Sequence, residues 1–385
     1  MRRLSLVLFG LMTAISQASA QDAVLSLSGD IVAQQPEKEE TPAPAKAEDI
    51  AAAKSEDKGI FSFLNFLDKK KKPEVKVESG PQETVLEKLI RTAGEGDVNS
   101  QLSLGYMYLY GEDGVEVNHK KAFEYYKMAA AQNDNVAINN LGSLYFSGIG
   151  TRRNPQLAAQ MFQKASELGN IEASVNLAFL YLAGQGVPKD GNAAMDLFMK
   201  ASAKNNPTAD FMLGYAYFRG YVMEQDLREA FELIRKAANA GYDDALFQLS
   251  EMYMNGWGTP QNYGNAVRAL RKAVDQGNVD AMMALGDVLA IGEKYPRDIY
   301  YAHVLFNVAS VRGAEGADEK RNVLEKKLKI EELLQAQTQA EQYVEKPSEL
   351  TVYIRQTFGD NIKGYISDAV DELMKSKTPA LKDKK

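Results

Sequence analysis

Side chains that do catalytic chemistry are scarce in this chain of 385 residues. The absence of cysteine excludes disulfides, thiol nucleophiles and thiolate metal sites. Only His119 and His303 offer an imidazole, the usual proton-transfer and metal-ligand group. No glycine-rich phosphate loop, nucleophile elbow or His-Glu-x-x-His motif occurs. The sequence therefore predicts a protein that is not an enzyme and that binds no metal and no cofactor.

Residues suited to binding are more frequent, and they recur at spacings close to 36 residues. Aromatic side chains are common anchors of protein interfaces. Side-chain amides can pair with both the N–H and the C=O of an extended peptide. The candidate partner-binding residues of these two types are Tyr106, Asn140, Asn176, Phe179, Phe211, Tyr215, Phe247 and Gln248. Two alternatives remain open: the aromatic residues pack between helices, and the amides contact only water.

A regular repeat positions these candidates. A leucine followed by a small residue occurs six times, at Leu104, Leu141, Leu177, Leu213, Leu249 and Leu285. The first step is 37 residues and the other four are 36 residues, a period that indicates a solenoid. A small residue stands four positions before each leucine, and a tyrosine stands four positions after it in five units. This spacing places the three residues on one face of a helix.

Each repeat also carries the residues that begin and end helices. A glycine closes the first helix, at Gly111, Gly148, Gly184, Gly220, Gly256 and Gly292. An N-cap residue then opens the second helix, at Asn118, Asn154, Asp190, Asp226, Asn262 and Asp298. The second helix is followed by a residue that tolerates left-handed backbone, at Asn133, Gly169, Asn205, Gly241, Gly277 and Gly313. The pattern predicts an all-α fold of six tandem helical hairpins.

This pattern resembles the Sel1-like repeat, a relative of the tetratricopeptide repeat with a longer loop between its helices. The resemblance covers residues 98–346 and includes Ala173-x3-Leu177-Ala178-x2-Tyr181-x2-Gly184. It implies a right-handed superhelical solenoid with a concave groove lined by the first helices, and a role as an adaptor. Terminal helices at residues 83–93 and 321–345 are expected to cap a solenoid domain that spans residues 81–346.

The first twenty residues predict a signal peptide. Arg2 and Arg3 precede an apolar run at residues 4–15, and the small residues Ala18 and Ala20 mark a cleavage site. An uncleaved membrane anchor is the alternative, but a membrane span needs roughly 20 apolar residues. We therefore expect cleavage after Ala20, a periplasmic or secreted protein, and no transmembrane segment in the mature form.

Residues 21–80 are predicted to be a disordered tether, because charged residues and alanine dominate much of this segment. A short apolar and basic motif at residues 60–72 interrupts it. This motif is suited to a partner, to a lipid surface or to the repeats themselves.

Residues 347–385 are predicted to form an amphipathic helix followed by a basic tail. The helix either caps the solenoid, or binds a partner or occupies the groove. An apolar helix face is usually packed, which favours the capping role.

The formal net charge of −7 argues against nucleic acid, because phosphate binding uses a basic excess. The predicted function is a non-enzymatic periplasmic scaffold or regulator that binds an envelope protein or peptide in its groove. The alternative is a peptidoglycan- or glycan-binding protein that modulates a cell-wall enzyme. The sequence identifies neither the partner nor the oligomeric state.

Overall fold

The computed structural model describes residues 83–358 and 364–366. The predicted signal peptide, the predicted tether with its motif at residues 60–72, and the basic C-terminal tail lie outside the described residues. Described residues from Leu89 onward form one compact unit, and residues 83–88 belong to a second unit.

Sixteen helices and no strand occur in residues 83–358. They are α1 (Val85–Gly94), α2 (Val98–Tyr110), α3 (His119–Ala131), α4 (Asn135–Ser147), α5 (Pro155–Glu167), α6 (Ile171–Ala183), α7 (Gly191–Ser202), α8 (Pro207–Arg219), α9 (Leu227–Asn239), α10 (Asp243–Asn255), α11 (Tyr263–Asp275), α12 (Val279–Ile291), α13 (Ile299–Val311), α14 (Ala317–Glu325), α15 (Ile330–Glu341) and α16 (Glu349–Phe358). The predicted all-α repeat fold is confirmed.

Helices α2 to α13 form six hairpins, numbered 1 to 6 in chain order. The first helices are α2, α4, α6, α8, α10 and α12, and each packs against the second helix that follows it. Each second helix also packs against the first helix of the next hairpin. Apolar faces that one hairpin leaves open are thereby buried by its neighbour, which is how a solenoid builds a continuous core.

Local signals in the sequence fix the hairpin boundaries. All six predicted N-caps of the second helices accept a backbone hydrogen bond, as Asn154 does from the N–H of Leu157 at 3.0 Å. All six glycines after the first helices are left-handed, as Gly148 is with a φ of 75°. Asn133 and Asn205 take the same conformation between hairpins, with φ of 62° and 60°. The predicted boundaries are confirmed.

The leucine and the small residue after it share one packing role. Leu104 and Leu285 are 0% exposed. A Cβ atom built at Gly286 would lie only 2.5 Å from Cε1 of Phe306, which belongs to the second helix of the same hairpin. Glycine therefore lets an aromatic ring pack directly against the backbone of the first helix.

The end of the array differs from the single terminal helix expected at residues 321–345. Two shorter helices, α14 and α15, replace it, and both pack against α13. The turn between them lets the chain fold back, and Glu332 Oε2 accepts the backbone N–H of Lys329 at 2.9 Å. This contact satisfies a donor that the new helix start leaves unpaired.

Candidate binding face of the first helices

Four first helices and two turns between hairpins form a surface that we call the first-helix face. It comprises α6, α8, α10 and α12 with the turns before α10 and α12, residues 240–242 and 276–278.

Six of the eight predicted binding residues are buried, with 0–7% of their surface exposed: Asn140, Asn176, Phe179, Phe211, Tyr215 and Gln248. Tyr106 and Phe247 are partly exposed. Most of these side chains therefore belong to the packed interior of the array.

The aromatic candidates divide into two groups. Phe211 is 0% exposed and meets Tyr242 edge-to-face at 4.9 Å, and it stacks on Tyr215 at 6.1 Å. Phe179 meets Phe198 at 5.4 Å and also Tyr365 of the C-terminal segment at 5.4 Å. Packing between helices therefore holds Phe211, as one alternative expected, whereas Phe179 also contacts residues beyond the repeats.

Tyr106 is engaged within hairpin 1. Its hydroxyl donates to Glu112 Oε1 at 2.8 Å, and its ring lies 4.7 Å from that of Tyr110. Burial and the Glu112 carboxylate raise the pKa of Tyr106 to about 12, so the phenol remains a hydrogen-bond donor at neutral pH.

The candidate amides Asn140 and Asn176 both lie inside the array, in different surroundings. Asn176 Nδ2 donates to Oδ1 of Asn139 at 3.0 Å. Asn140 is 1% exposed, and within the described residues neither atom of its amide group has a hydrogen-bond partner. Gln248 Nε2 is likewise buried without a partner among the described residues. The amides are thus shielded from water, contrary to the second alternative.

The described part of the C-terminal segment, residues 346–358 and 364–366, lies on the first-helix face, whereas the sequence favoured the capping role. Ser348 donates through Oγ to Gly241 O at 2.6 Å, and its N–H donates to Gln276 Oε1 at 3.1 Å. Thr351 donates through Oγ1 to the same Gln276 oxygen at 2.5 Å. These bonds attach the start of α16 to two consecutive turns between hairpins.

Helix α10 lacks the N-cap side chain that the other first helices have. Those five helices are capped by Asp97, Asp134, Asn170, Asn206 and Asn278, each accepting a backbone N–H three residues later. In α10 the corresponding residue is Tyr242, which makes no capping bond with its side chain. Thr351 Oγ1 instead accepts the N–H of Asp243 at 3.1 Å. The C-terminal segment thus satisfies a donor at this helix start.

A buried acidic cluster lies beside this contact. Asn278 Nδ2 donates to Asp243 Oδ2 and to Asp244 Oδ1, each at 3.0 Å. Arg355 of α16 donates to Asp243 Oδ2 at 2.6 Å. The side chain of Asp243 is 3% exposed and that of Arg355 is 26% exposed. Burial lowers the pKa of Arg355, but the carboxylates of Asp243, Glu345 and Asp244 together more than offset this, so the net shift is upward.

The apolar side of the segment reaches hairpin 3. Thr351 and Ile354 are 0% exposed and Tyr353 is 6% exposed. Burial raises the pKa of Tyr353, and the carboxylate of Glu172 raises it further. The ring of Tyr365 lies 5.4 Å from that of Phe179 in α6. The segment therefore spans the first-helix face from the turn before α12 to α6.

Sequence reasoning missed Tyr242, Asp243, Gln276, Thr351 and Arg355. One signal was available, because Tyr242 interrupts a series of Asp and Asn residues at equivalent positions. Nothing periodic points to Arg355, since its contact with Asp243 joins residues 112 positions apart.

The described residues hold no group of three or more His, Asp or Glu side chains placed to bind a metal ion. Among the helices in the same part of the chain, none combines the length and apolar character that crossing a membrane requires. His303 is 0% exposed, and its Nε2 lies 3.6 Å from Glu325 Oε1.

A model of the Sel1 repeat matches six adjoining segments, residues 98–134, 135–170, 171–206, 207–242, 243–278 and 279–310. Together they cover more than half of the chain. The chain belongs to the Sel1 repeat family. Each matched segment begins at or next to a first helix and contains one hairpin, so the Sel1 units coincide with the hairpins. Sel1 repeats generally mediate protein–protein interaction, and the family is typically non-catalytic.

A solved structure of a Sel1 repeat protein has a similar fold, and a second one is similar in sequence. A Sel1 repeat protein from Oxalobacter formigenes is 25% identical, with a TM-score of 0.53, and the match covers 64% of this chain and 99% of that protein. The protein c5321, a protective antigen present in uropathogenic Escherichia coli, is 24% identical with a TM-score of 0.34, over 78% of this chain and 76% of that one. No curated protein matches this Sel1 repeat chain.

Proposed function

We propose that this protein is an exported, non-enzymatic scaffold or regulator whose first-helix face binds a segment of another cell-envelope protein. The observation that carries the proposal is the mode in which residues 346–358 and 364–366 are held. Backbone carbonyls and a glutamine at repeat turns, a buried carboxylate and the ring of Phe179 all contact this segment. These groups are the ones that recognise peptides in general, because they pair with backbone, cation and aromatic side chain.

Export is proposed from the sequence alone. The basic start, the short apolar run and the Ala18–Ala20 site are typical of a cleaved signal peptide. N-terminal sequencing of the protein from a periplasmic fraction should begin at Gln21. Recovery of the intact chain from the cytoplasm alone would contradict this part of the proposal.

Site-specific photo-crosslinking in living cells tests the binding role. A photoreactive amino acid would replace Phe247, a partly exposed residue of α10. The matched control would replace Met199, which is 44% exposed on the second helix α7. A discrete product with one protein from position 247, absent from position 199, is expected.

Equal products from both positions would count against a binding face. Retention of the pure protein on peptidoglycan, with no protein product from position 247, would instead support the glycan-binding alternative. Identification of the crosslinked protein by mass spectrometry gives the partner.

A further inference from the structure

Hairpin 5 departs from the other five in a way that creates a site. Its first helix begins with Tyr242 and Asp243, where the others place an Asp or Asn cap whose side chain accepts a backbone N–H. The N–H of Asp243, the first residue of α10, finds its acceptor outside the hairpin, in Thr351 Oγ1 at 3.1 Å, as the unpaired N–H groups of a helix start require when they are buried. With the segment in place, Asp243 is 2% exposed.

Two hydrogen-bond acceptors, the carbonyl oxygen of Gly241 and the side-chain oxygen of Gln276, contact the same segment. The carbonyl oxygen of Gly241 accepts from Ser348 Oγ at 2.6 Å, and it lies 3.2 Å from Thr351 Oγ1, whose single hydrogen it shares with Gln276 Oε1. The side-chain oxygen of Gln276 accepts from the N–H of Ser348 at 3.1 Å. Together with the Asp243 N–H, this site offers two acceptors and one donor, which suits two hydroxyl side chains one helical turn apart.

The charge of the site also specifies its ligand. Asp243 carries a carboxylate whose side chain is only 3% exposed, and Arg355 supplies the opposing cation at 2.6 Å. A buried carboxylate left without a cation is strongly unfavourable. Arginine also suits this place better than lysine, because a guanidinium is more weakly hydrated. A segment that fills the site must therefore bring an arginine about one turn after its hydroxyl group.

The current occupant has the properties of a ligand that can leave. Helix α16 contains ten residues, and helices this short are marginal without packing. The segment caps its own helix, since Ser348 Oγ accepts the N–H of Thr351 at 3.1 Å. The chain before it is held separately, through the ion pair of Arg312 with Glu345 at 2.8 Å. Release of residues 348–358 involves none of the atoms of this ion pair, so the chain before α16 keeps its own attachment.

We infer that hairpin 5 is a recognition site for a helical segment with Ser or Thr in its first turn and arginine one turn later. Residues 348–358 of the chain fill this site in the unbound protein, and a partner segment of the same chemistry exchanges with them. The inference rests on the proposed binding role of the first-helix face. A tethered ligand competes at an effective concentration in the millimolar range, so the exchange sets a threshold for partner affinity.

Peptide binding to the full-length chain tests this exchange. The probe is a fluorescein-labelled peptide of residues 346–366, and the full-length variant is Arg355→Glu, which sets two carboxylates against each other and releases the tethered segment. The variant should bind the peptide at least about 10-fold more tightly than the wild type by fluorescence anisotropy. A matched control, Arg235→Glu, reverses the charge of a guanidinium on α9 whose side chain is 44% exposed and should bind like the wild type.

A second peptide and a second variant keep the test decisive. The peptide with Arg355→Glu should bind none of the proteins. If the Arg355→Glu chain fails to fold, the double variant Ser348→Ala with Thr351→Val, which keeps the arginine, takes its place. A folded variant that binds the peptide no better than the wild type would overturn the inference.

The peptide-binding experiment and the crosslinking experiment can succeed or fail independently. Peptide exchange without a crosslinked partner at position 247 would support the site and leave the binding role without a partner. A crosslinked partner with no peptide exchange would support the binding role and refute the tethered ligand.

Discussion

A methyl group added at Gly286 tests how the hairpins are packed. Gly286 follows Leu285 in α12, and a Cβ atom there would lie 2.5 Å from Cε1 and 2.8 Å from Cζ of Phe306. Phe306 is 1% exposed, so its ring has little room to move. We expect the substitution Gly286→Ala to destabilise the protein because the two helices of hairpin 6 must separate slightly.

Two opposing terms set the size of this effect. Alanine favours a helix over glycine by up to about 1 kcal/mol. Overpacking a well-packed core costs about 1–3 kcal/mol. The net change expected is a loss of about 1 kcal/mol, with an upper limit near 2 kcal/mol. Hairpin 3 supports a modest value, because Ala178 and Phe198 occupy the equivalent positions there.

Urea denaturation followed by far-ultraviolet circular dichroism measures the change. The matched control is Gly264→Ala in α11, where the nearest atom would lie 3.4 Å away and the residue is exposed. This control should gain up to about 1 kcal/mol of stability, because only helix propensity changes. Equal gains in both variants would refute the close-approach reasoning. Partial recovery of the Gly286→Ala variant by Phe306→Leu would support it.

Three further outcomes are expected. Burial lowers the pKa of His303 below its ordinary 6.5, so the unfolded chain binds more protons at acid pH. The His303 contribution to stability is then full above about pH 6.5 and is lost as the pH falls towards the folded-state pKa. The variant His303→Leu should flatten this dependence in thermal unfolding, and an unchanged slope would contradict the assignment. Asn154→Ala should cost about 1 kcal/mol in urea by removing an N-cap, whereas Asn154→Asp should stay within a few tenths of the wild type. Asn140→Leu should be neutral or stabilise by up to about 1 kcal/mol, because an unpaired buried amide is removed; a clear loss of stability in calorimetry would show the reasoning to be wrong.

The candidate site could be predicted only in part. The spacing correctly placed Phe179, Phe211 and Tyr215 on first helices. Their burial depends on which side chains of the next hairpin and of the C-terminal segment reach them, and no single helix encodes that. Asn176 shows the same limit, because its amide donates to Asn139 of the preceding hairpin, a contact that the repeat spacing did not predict.

The terminal helices show where local signals become weak. The predicted helix at residues 321–345 contains no proline or glycine that would mark the break between α14 and α15. The break follows from tertiary packing, since folding back lets both helices contact α13.

The sequence by itself determined the hairpin order, the caps and the turns of this Sel1 repeat protein. Those features depend on contacts over a few residues, such as a side chain accepting the N–H three positions later, or on backbone conformations that only glycine and asparagine readily adopt. Only the tertiary structure decided where the C-terminal segment lies. Its contacts join Gly241 to Thr351 and Asp243 to Arg355, which are 110 and 112 residues apart. Such pairs follow from the stacking of the hairpins, which brings distant residues together without leaving a periodic pattern in the chain.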